Sequence, residues 1–458
     1  MLSLIKSRWW DLVNGFWFVP GLIAICGPLL ALLFIWFDHQ LGPFHVPFLF
    51  NGNSTAATGI LTAIAASFMA VLGLVFSITI VTLQLVTSQF TPRALRGFLA
   101  DRITQSVAGG FIGIFAYSLL VLTTVRDPAQ GDAGFVPALS ISIAIVFGLL
   151  GLVLLLLYIH HTAESIQINN ITARLARETL HALDHLYPMW GNGPVTEDGT
   201  KLVKQWSSEA VPQCIYPQRS GYVQSIAFHH LMRAFDRAFD HQGSGLRMHL
   251  NVCPGDFVTP EKVIAEVWPV HRHEETLISL VRRSVVVLNQ RDMVQDAAFG
   301  IRQLADIALR AMSPAVNDPT TAVNCIEYLQ AIFEHLARRT LPSAIHRLHD
   351  GTSILVMRYR TFYEYLQVFA EIGRVTTQNA RVADALLAAL ESISTIASQE
   401  GQERLPLLGA NAQAIALPAI ADARTELDRT LLVERLKRIE QITQVRTEQV
   451  PTRDQMAV

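Results

Sequence analysis

Residues 59–86 read GILTAIAASFMAVLGLVFSITIVTLQLV and contain no Asp, Glu, Lys or Arg. The charge-free sequence around them extends from His39 to Pro92. A helix needs about 20 apolar residues to cross a hydrocarbon core of roughly 30 Å. This stretch therefore predicts a membrane-spanning helix, and it indicates an α-helical membrane protein.

Three further charge-free stretches lie at residues 12–37, 103–125 and 133–163, and each is long enough to span a bilayer. Residues 1–163 hold only six of the 36 basic and five of the 38 acidic residues, so the rest of the chain has the charge content of a soluble body. We predict four spans, centred on Phe16–Phe37, Gly59–Val86, Gln105–Val125 and Pro137–Tyr158.

The distribution of Lys and Arg predicts the orientation, because short loops rich in these residues stay in the cytoplasm. Lys6 and Arg8 precede the first span, whereas the loop 38–58 contains neither residue type. Three arginines lie between the second and third spans, Arg93, Arg96 and Arg102. We therefore expect a multi-pass protein of the bacterial inner membrane with both termini in the cytoplasm.

Composition and motifs exclude several functions. A net charge of -2 lacks the basic excess of nucleic-acid binders. The four cysteines are far apart and lack zinc or redox spacing, so we expect unpaired thiols in a reducing compartment. The sequence has no phosphate-binding loop, zincin motif or serine-hydrolase elbow, so it predicts neither an enzyme nor a cofactor.

Hydropathy and periodicity divide the chain into five predicted parts. These are a four-helix transmembrane domain at 1–163, a helical stalk and linker at 164–212, a small β-rich module at 213–270, a mainly α-helical cytoplasmic domain at 271–446 and a disordered tail at 447–458. The stalk is predicted to continue the fourth span into the cytoplasm.

Helical periodicity recurs five times in the helical domain, at Leu277–Asn289, Gln295–Met312, Thr320–Ala337, Arg381–Ala397 and Ala423–Ile442. Between the second and third of these, Pro314 stops a helix, Asp318 suits the N-cap of the next and Pro319 suits its first position. We interpret this corner as a capped helix junction, the alternative being a functional loop that carries Asn317 and Asp318.

Several segments resemble a bacterial family of predicted membrane proteins that is defined by a domain of unknown function. They are Ser88–Arg102, Gly221–Val223, Pro254–Val258, Arg302–Leu309, Ser313–Pro314 and Asn317–Ala322. The resemblance covers most of the chain and implies a four-span membrane protein, but it implies no activity. The β-rich module also resembles the barrel-sandwich modules of membrane adaptor proteins, which is an analogy of fold alone.

A polar stripe marks the second span. Its members, Gly73, Ser77, Gln84 and Ser88, differ by four, seven and four residues and so share one helix face. Small and hydroxyl residues let membrane helices pack closely. Alternatively, the stripe lines a water-filled path in an oligomer. Both interpretations remain open from the sequence.

Arg93, Arg96 and Arg102 follow this span, beside Asp101. They are interpreted either as anchors on anionic headgroups or as a ring at the cytoplasmic mouth of a pore. In the helical domain, Arg302 and Asp306 have the spacing of an intrahelical ion pair, for which we expect a structural role. Because their helix is otherwise apolar, burial at a domain or subunit interface is the alternative.

Short histidine clusters are the remaining metal candidates. They are His181 with His185, His160 with His161, His229 with His230, and His271 with His273. Paired histidines on a polar helix face are more often solvated than metal-bound, so we predict no metal site.

The sequence favours an oligomeric inner-membrane channel or transport-like protein with a cytoplasmic regulatory body. Its expected partners are the lipid bilayer, further copies of the same chain and a small ion, and nucleic acid is not expected. The alternative is a membrane-anchored interaction or regulatory protein without a pore.

Overall fold

The fold is that of a computed structural model of the chain. It describes residues 18–41, 49–89, 101–127, 134–165, 167–187, 199–228, 230–232, 246–268, 274–340, 342, 344–347 and 353–444. The chain divides into two compact units, Met1–Asn170 and Ile171–Val458. Some predicted features lie outside the described residues, namely Arg93, Arg96, His229, His271, His273 and the tail at 447–458.

Four helices of the first unit are long and apolar enough to cross a membrane, which confirms the predicted number of spans. They are α1 Phe18–Leu41, α2 Ser54–Gln89, α3 Arg102–Thr124 and α4 Ala138–Ser165. Two hydrophobic clusters hold them together, one around Leu61, Tyr117 and Ile141 and the other around Phe68 and Phe111.

Helices α1 and α3 approach each other at backbone distance. A Cβ added at Gly27 would lie 2.2 Å from the carbonyl oxygen of Gly113, and one added at Gly109 would lie 2.8 Å from the Cα of Pro20. Gly109 and Gly113 form the small-xxx-small pattern that permits close helix packing in membranes. The α1–α3 contact therefore depends on glycines in both helices.

Helix α2 packs one face on α3 and α4. A Cβ at Gly151 of α4 would lie 2.2 Å from the Phe68 ring, so the aromatic ring fills the space of a side chain. The Thr79 hydroxyl is 2.9 Å from the Tyr158 hydroxyl, which also donates to the Val75 carbonyl at 3.1 Å. Buried polar groups within a bilayer must find partners inside the protein, and these do.

The carboxylate of Asp38, near the end of α1, caps the beginning of α4. It accepts the backbone N–H groups of Leu139 and Ser140 at 3.0 Å each, and the Ser140 hydroxyl donates to it at 2.5 Å. The first N–H groups of a helix lack intrahelical partners, so a carboxylate there stabilises the helix. Asp38 thereby fastens the end of the first span to the start of the fourth.

Nine helices are described in the chain after α4. They are α5 Ile168–Leu186, α6 Gly199–Glu209, α7 Glu274–Ser284, α8 Ala297–Ala311, α9 Pro319–Ala337, α10 Phe362–Val375, α11 Ala380–Glu400, α12 Leu405–Asp422 and α13 Glu426–Thr443. The predicted stalk differs from a continuation of the fourth span, because α4 ends at Ser165 and α5 begins at Ile168. Helix α5 buries a face that includes Ile171, Leu175 and Leu183.

Eight short strands among the described residues form two sheets. They are β1 Gln213–Ile215, β2 Gly221–Ile226, β3 Arg247–Leu250, β4 Phe257–Val258, β5 Ala265–Trp268, β6 Val285–Leu288, β7 Ile345–Arg347 and β8 Ile354–Met357. The larger sheet has the order β1-β5-β3-β8-β7 and the smaller has the order β4-β2-β6. Met248 of β3 pairs with Val267 in antiparallel register and with Leu355 in parallel register.

The two sheets include residues that the sequence analysis assigned to the helical domain. Strands β6, β7 and β8 lie beyond residue 270, so the β-rich part is not confined to residues 213–270. The predicted helix Leu277–Asn289 is wrong in its second half, because α7 ends at Ser284 and β6 follows. Three consecutive valines begin β6, and β-branched side chains suit a pleated sheet better than a helix.

The corner between α8 and α9 has the predicted cap. Asp318 accepts the backbone N–H groups of Thr320 and Thr321 at 3.1 Å each, and Pro319 begins α9. A hydrogen bond from the Thr321 hydroxyl holds the pKa of Asp318 below its usual value. Asn317 has a φ of 47°, the left-handed region that asparagine tolerates.

Arg404 binds the carbonyl groups at the C-terminal end of α9. Its guanidinium donates to the carbonyls of Leu336 at 2.9 Å, Ala337 at 3.0 Å and Arg339 at 2.5 Å. It also lies 4.9 Å from the centre of the Phe362 ring. The last carbonyls of a helix lack intrahelical donors, and here one buried arginine supplies them.

Candidate functional site

The α2 stripe, Gly73, Ser77, Gln84 and Ser88, lies on the side of α2 that is exposed in the single chain. Gly73, Ser77 and Gln84 are exposed, whereas the side chain of Ser88 lies outside the described residues. A Cβ added at Gly73 would meet nothing within 4 Å. Among the described residues, this part of the stripe is therefore not buried within one chain, and another copy, water or lipid can be its neighbour.

The exposed faces of α1 and α4 differ from this stripe because they carry large aliphatic and aromatic side chains. On α1 these are Leu22, Ile25, Leu29, Leu32, Leu33 and Trp36, and on α4 they are Val146, Leu149, Leu150, Leu152, Val153, Leu156 and Leu157. Such side chains are typical of contact with lipid tails. The exposed side of α2 also carries Leu74, Ile80 and Val81, so the small and polar residues of the stripe lie among bulky apolar ones.

The contacts of α2 with α4 show where the stripe residues lie along the helix axis. Thr79 meets Tyr158, and the polar residues His160 and His161 follow at once on α4. Gln84 lies five residues beyond Thr79, about 7.5 Å further along the axis. Helix α2 has 36 residues and a length of about 54 Å, well beyond the hydrocarbon core. Gly73, Ser77 and Gln84 all lie within the candidate span Ser54–Leu85, with Gln84 close to its end.

The carboxylate of Asp101 forms hydrogen bonds at the N-terminal end of α3. It caps the helix by accepting the N–H of Ile103 at 3.2 Å, and it accepts the Thr104 hydroxyl at 2.7 Å. His161 Nε2 lies 2.7 Å from its Oδ2. Burial acts to raise the pKa of Asp101, but the hydrogen bonds of Thr104 and His161 outweigh it and hold the pKa below its usual value. Arg102 is exposed beside this carboxylate.

The pair Arg302 and Asp306 extends into a three-residue ion network across two helices. Arg302 Nε donates to Asp306 at 2.6 Å and its Nη1 donates to Glu371 of α10. Burial acts to lower the pKa of Arg302, but the two carboxylates outweigh it and raise the pKa. The network links α8 to α10, as a structural role requires.

A second charged cluster was not predicted from the sequence. The carboxylate of Asp256 accepts Arg358 at 2.8 Å and Arg360 at 3.0 Å, and Arg291 donates to Asp296 at 2.7 and 3.0 Å. Only the Pro254-Gly255-Asp256 turn indicated this place, and its Gly255 has a φ of 90°. A Cβ at Gly255 would lie 2.4 Å from Asp296 Oδ2, so glycine lets the two parts of the cluster meet.

Cys253 lies beside this cluster and is buried. Burial raises the pKa of its thiol to about 12, so the sulfur stays protonated at neutral pH. Because the thiolate is the reactive form of cysteine, Cys253 is a poor nucleophile.

Histidines of the described residues do not gather into a metal cluster of three or more candidate ligands. His181 and His185 are exposed on α5, with their Nε2 atoms 3.3 Å apart. His160 lies 3.3 Å from Glu164. Asp184, between the first two histidines, instead binds His335 at 2.7 Å and Arg339.

Residues 14–392 match a protein family described as "Predicted membrane protein (DUF2254)". Uncharacterized proteins of Mycobacterium tuberculosis and Mycobacterium bovis are 32% identical over 355 residues, which cover 76% of this chain. The aligned residues span 65% of the length of these relatives. No solved structure matches the chain. The extent of the family match, together with the four spans, shows that the chain belongs to this family of predicted membrane proteins.

Proposed function

We propose that the protein is a homo-oligomeric channel or transport-like protein of the bacterial inner membrane, with both termini in the cytoplasm. The observation that carries this proposal is the exposure of Gly73 and Ser77 within a span whose opposite face is buried. At the same depth, α4 exposes Leu156 and Leu157. Gly73 and Ser77 are thus small residues on an exposed side of α2 that also carries Leu74, Ile80 and Val81.

A small ion is the substrate that best fits this surface. Gly73 leaves space and Ser77 offers a hydroxyl. The second span, residues 59–86, carries no acidic or basic side chain. One four-helix unit has a single such face, so several copies are needed to enclose a path. The end of α2 with Gln84 and the start of α3 with Arg102 would form the cytoplasmic mouth. Arginines there would favour anions.

Cysteine accessibility tests whether the stripe lines a water-filled path. After Cys26, an exposed native cysteine, is replaced with alanine, single cysteines at Gly73 and Ser77 are expected to react with a small charged thiol reagent in proteoliposomes. Cysteines at Leu152 and Leu156, equally exposed in one chain, are the matched lipid-facing controls and should react far more slowly. Ser77→Leu should then lower ion flux severalfold without changing assembly, because it narrows and dries the path.

The opposite pattern would favour the alternative function. If the stripe cysteines are as unreactive as the controls and Ser77→Leu breaks the assembly, the stripe is a seam between subunits. The protein would then be better described as a membrane-anchored interaction or regulatory protein without a pore.

Oligomerisation is a separate expectation of the proposal. The mass of the detergent-solubilised complex, measured by light scattering with the detergent contribution subtracted, should equal several copies of the chain. The polar face of α2 is better covered by another copy than by lipid. A monomer at every protein concentration would eliminate a channel formed between subunits.

A further inference from the structure

We propose that His181 and His185 form a binding site for a borderline transition-metal dication, best represented by Zn²⁺, on the exposed face of α5. The two histidines stand one helical turn apart, and both imidazoles project from the same side of the helix. Their Nε2 atoms are 3.3 Å apart and their ring planes are inclined by 75°.

The separation of the nitrogens matches the geometry of a shared ion. Zinc binds imidazole nitrogen at about 2.0–2.1 Å in a tetrahedral arrangement, which places two ligand nitrogens about 3.3 Å apart. Without a bound ion, the same distance allows one ring to donate a hydrogen bond to the other. The pair is therefore spaced to hold one cation by both nitrogens.

The sequence around the pair has the His-x-x-acid-His spacing of inverted zincins, with His181-Ala182-Leu183-Asp184-His185 in this chain. In those enzymes the acidic residue is a glutamate. Here Asp184 is held by Arg339 and by His335 at 2.7 Å, so its carboxylate does not serve as a base for a bound water. The arrangement supports cation binding and not hydrolysis.

The ligand set determines which ions fit. Neutral imidazole prefers zinc, copper and nickel, whereas calcium and magnesium prefer oxygen ligands. Since the described residues supply only these two ligands, water or another molecule completes the coordination. Exposure of both histidines leaves room for those additional ligands.

The test uses the full-length protein in detergent, purified with an affinity tag that contains no histidine and freed of metal with EDTA. Titration calorimetry with Zn²⁺ alone should show one ion bound per chain by His181 and His185. His181→Gln and His185→Gln should each weaken binding by at least about tenfold, because each removes one of two protein ligands. Both side chains are exposed, so the variants should keep the parent unfolding temperature.

His160→Gln is the matched control, because His160 is also exposed and also lies 3.3 Å from a partner four residues away, Glu164. This variant should bind Zn²⁺ as the parent does. Visible absorption of bound Co²⁺ supplies a second readout and should change only in the His181 and His185 variants. Unchanged binding in the His181→Gln, His185→Gln double variant, or loss of the ion in His160→Gln, overturns the proposal.

Discussion

Gly27→Ala is expected to separate α1 from α3 and to destabilise the membrane unit by about 3 kcal/mol, the upper part of the usual range for overpacking. The new Cβ would lie 2.2 Å from the carbonyl oxygen of Gly113 and 2.8 Å from its carbonyl carbon and Cα. These are backbone atoms, so no side chain can turn aside to relieve the contact. Thermal unfolding of the purified protein in detergent should show a lower transition temperature than in the parent.

Gly21→Ala is the matched control, because it lies in the same helix and its added Cβ would meet nothing within 4 Å. It should unfold at or slightly above the parent temperature, since alanine is the better helix former. If Gly27→Ala and Gly21→Ala have equal stability, α1 and α3 do not meet at Gly27 and Gly113.

Arg404→Leu is expected to destabilise the second unit by about 3 kcal/mol or more. The substitution removes the guanidinium from the carbonyls of Leu336, Ala337 and Arg339, of which Leu336 keeps the backbone N–H of Arg339 at 3.1 Å. Each carbonyl left unpaired costs about 1–3 kcal/mol before relaxation. Urea unfolding followed by circular dichroism measures the loss. Arg404→Lys should recover only part of it, because an ammonium cannot reproduce the fork of the guanidinium.

Arg429→Leu tests whether the effect comes from the position and not from the removal of any arginine. Arg429 is exposed and lies 3.5 Å from Glu426, a surface pair that contributes about 0–1 kcal/mol. Its unfolding midpoint should stay near that of the parent. Equal midpoints for Arg404→Leu and Arg429→Leu would contradict the role assigned to Arg404.

Local chemistry explains what could be predicted from the sequence. The spans follow from residue type and length alone, because lipid excludes charge along the whole of a helix. The cap at Asp318 and the start of α9 at Pro319 depend on side chains within three residues of each other. Such features need no knowledge of the distant chain.

Features that depend on distant partners could not be predicted. Strand β8 reaches its place beside β3 although about a hundred residues separate Met248 from Leu355. The same limitation applies to Asp256 and Arg360, which are in contact although 104 residues separate them in the chain. For the α2 stripe, the spacing of its residues predicts a shared face, whereas the exposure of Gly73, Ser77 and Gln84 depends on how α2 packs on α3 and α4.

The contact of Asp38 with α4 also constrains the order in which the membrane unit is assembled during synthesis. Its partners Leu139 and Ser140 follow it by 101 and 102 residues. A ribosome that adds about 5–20 residues per second needs about 5–20 s to make that stretch. During this interval Asp38 cannot accept the N–H groups of Leu139 and Ser140, so this link between α1 and α4 forms only after the start of α4 has been synthesised.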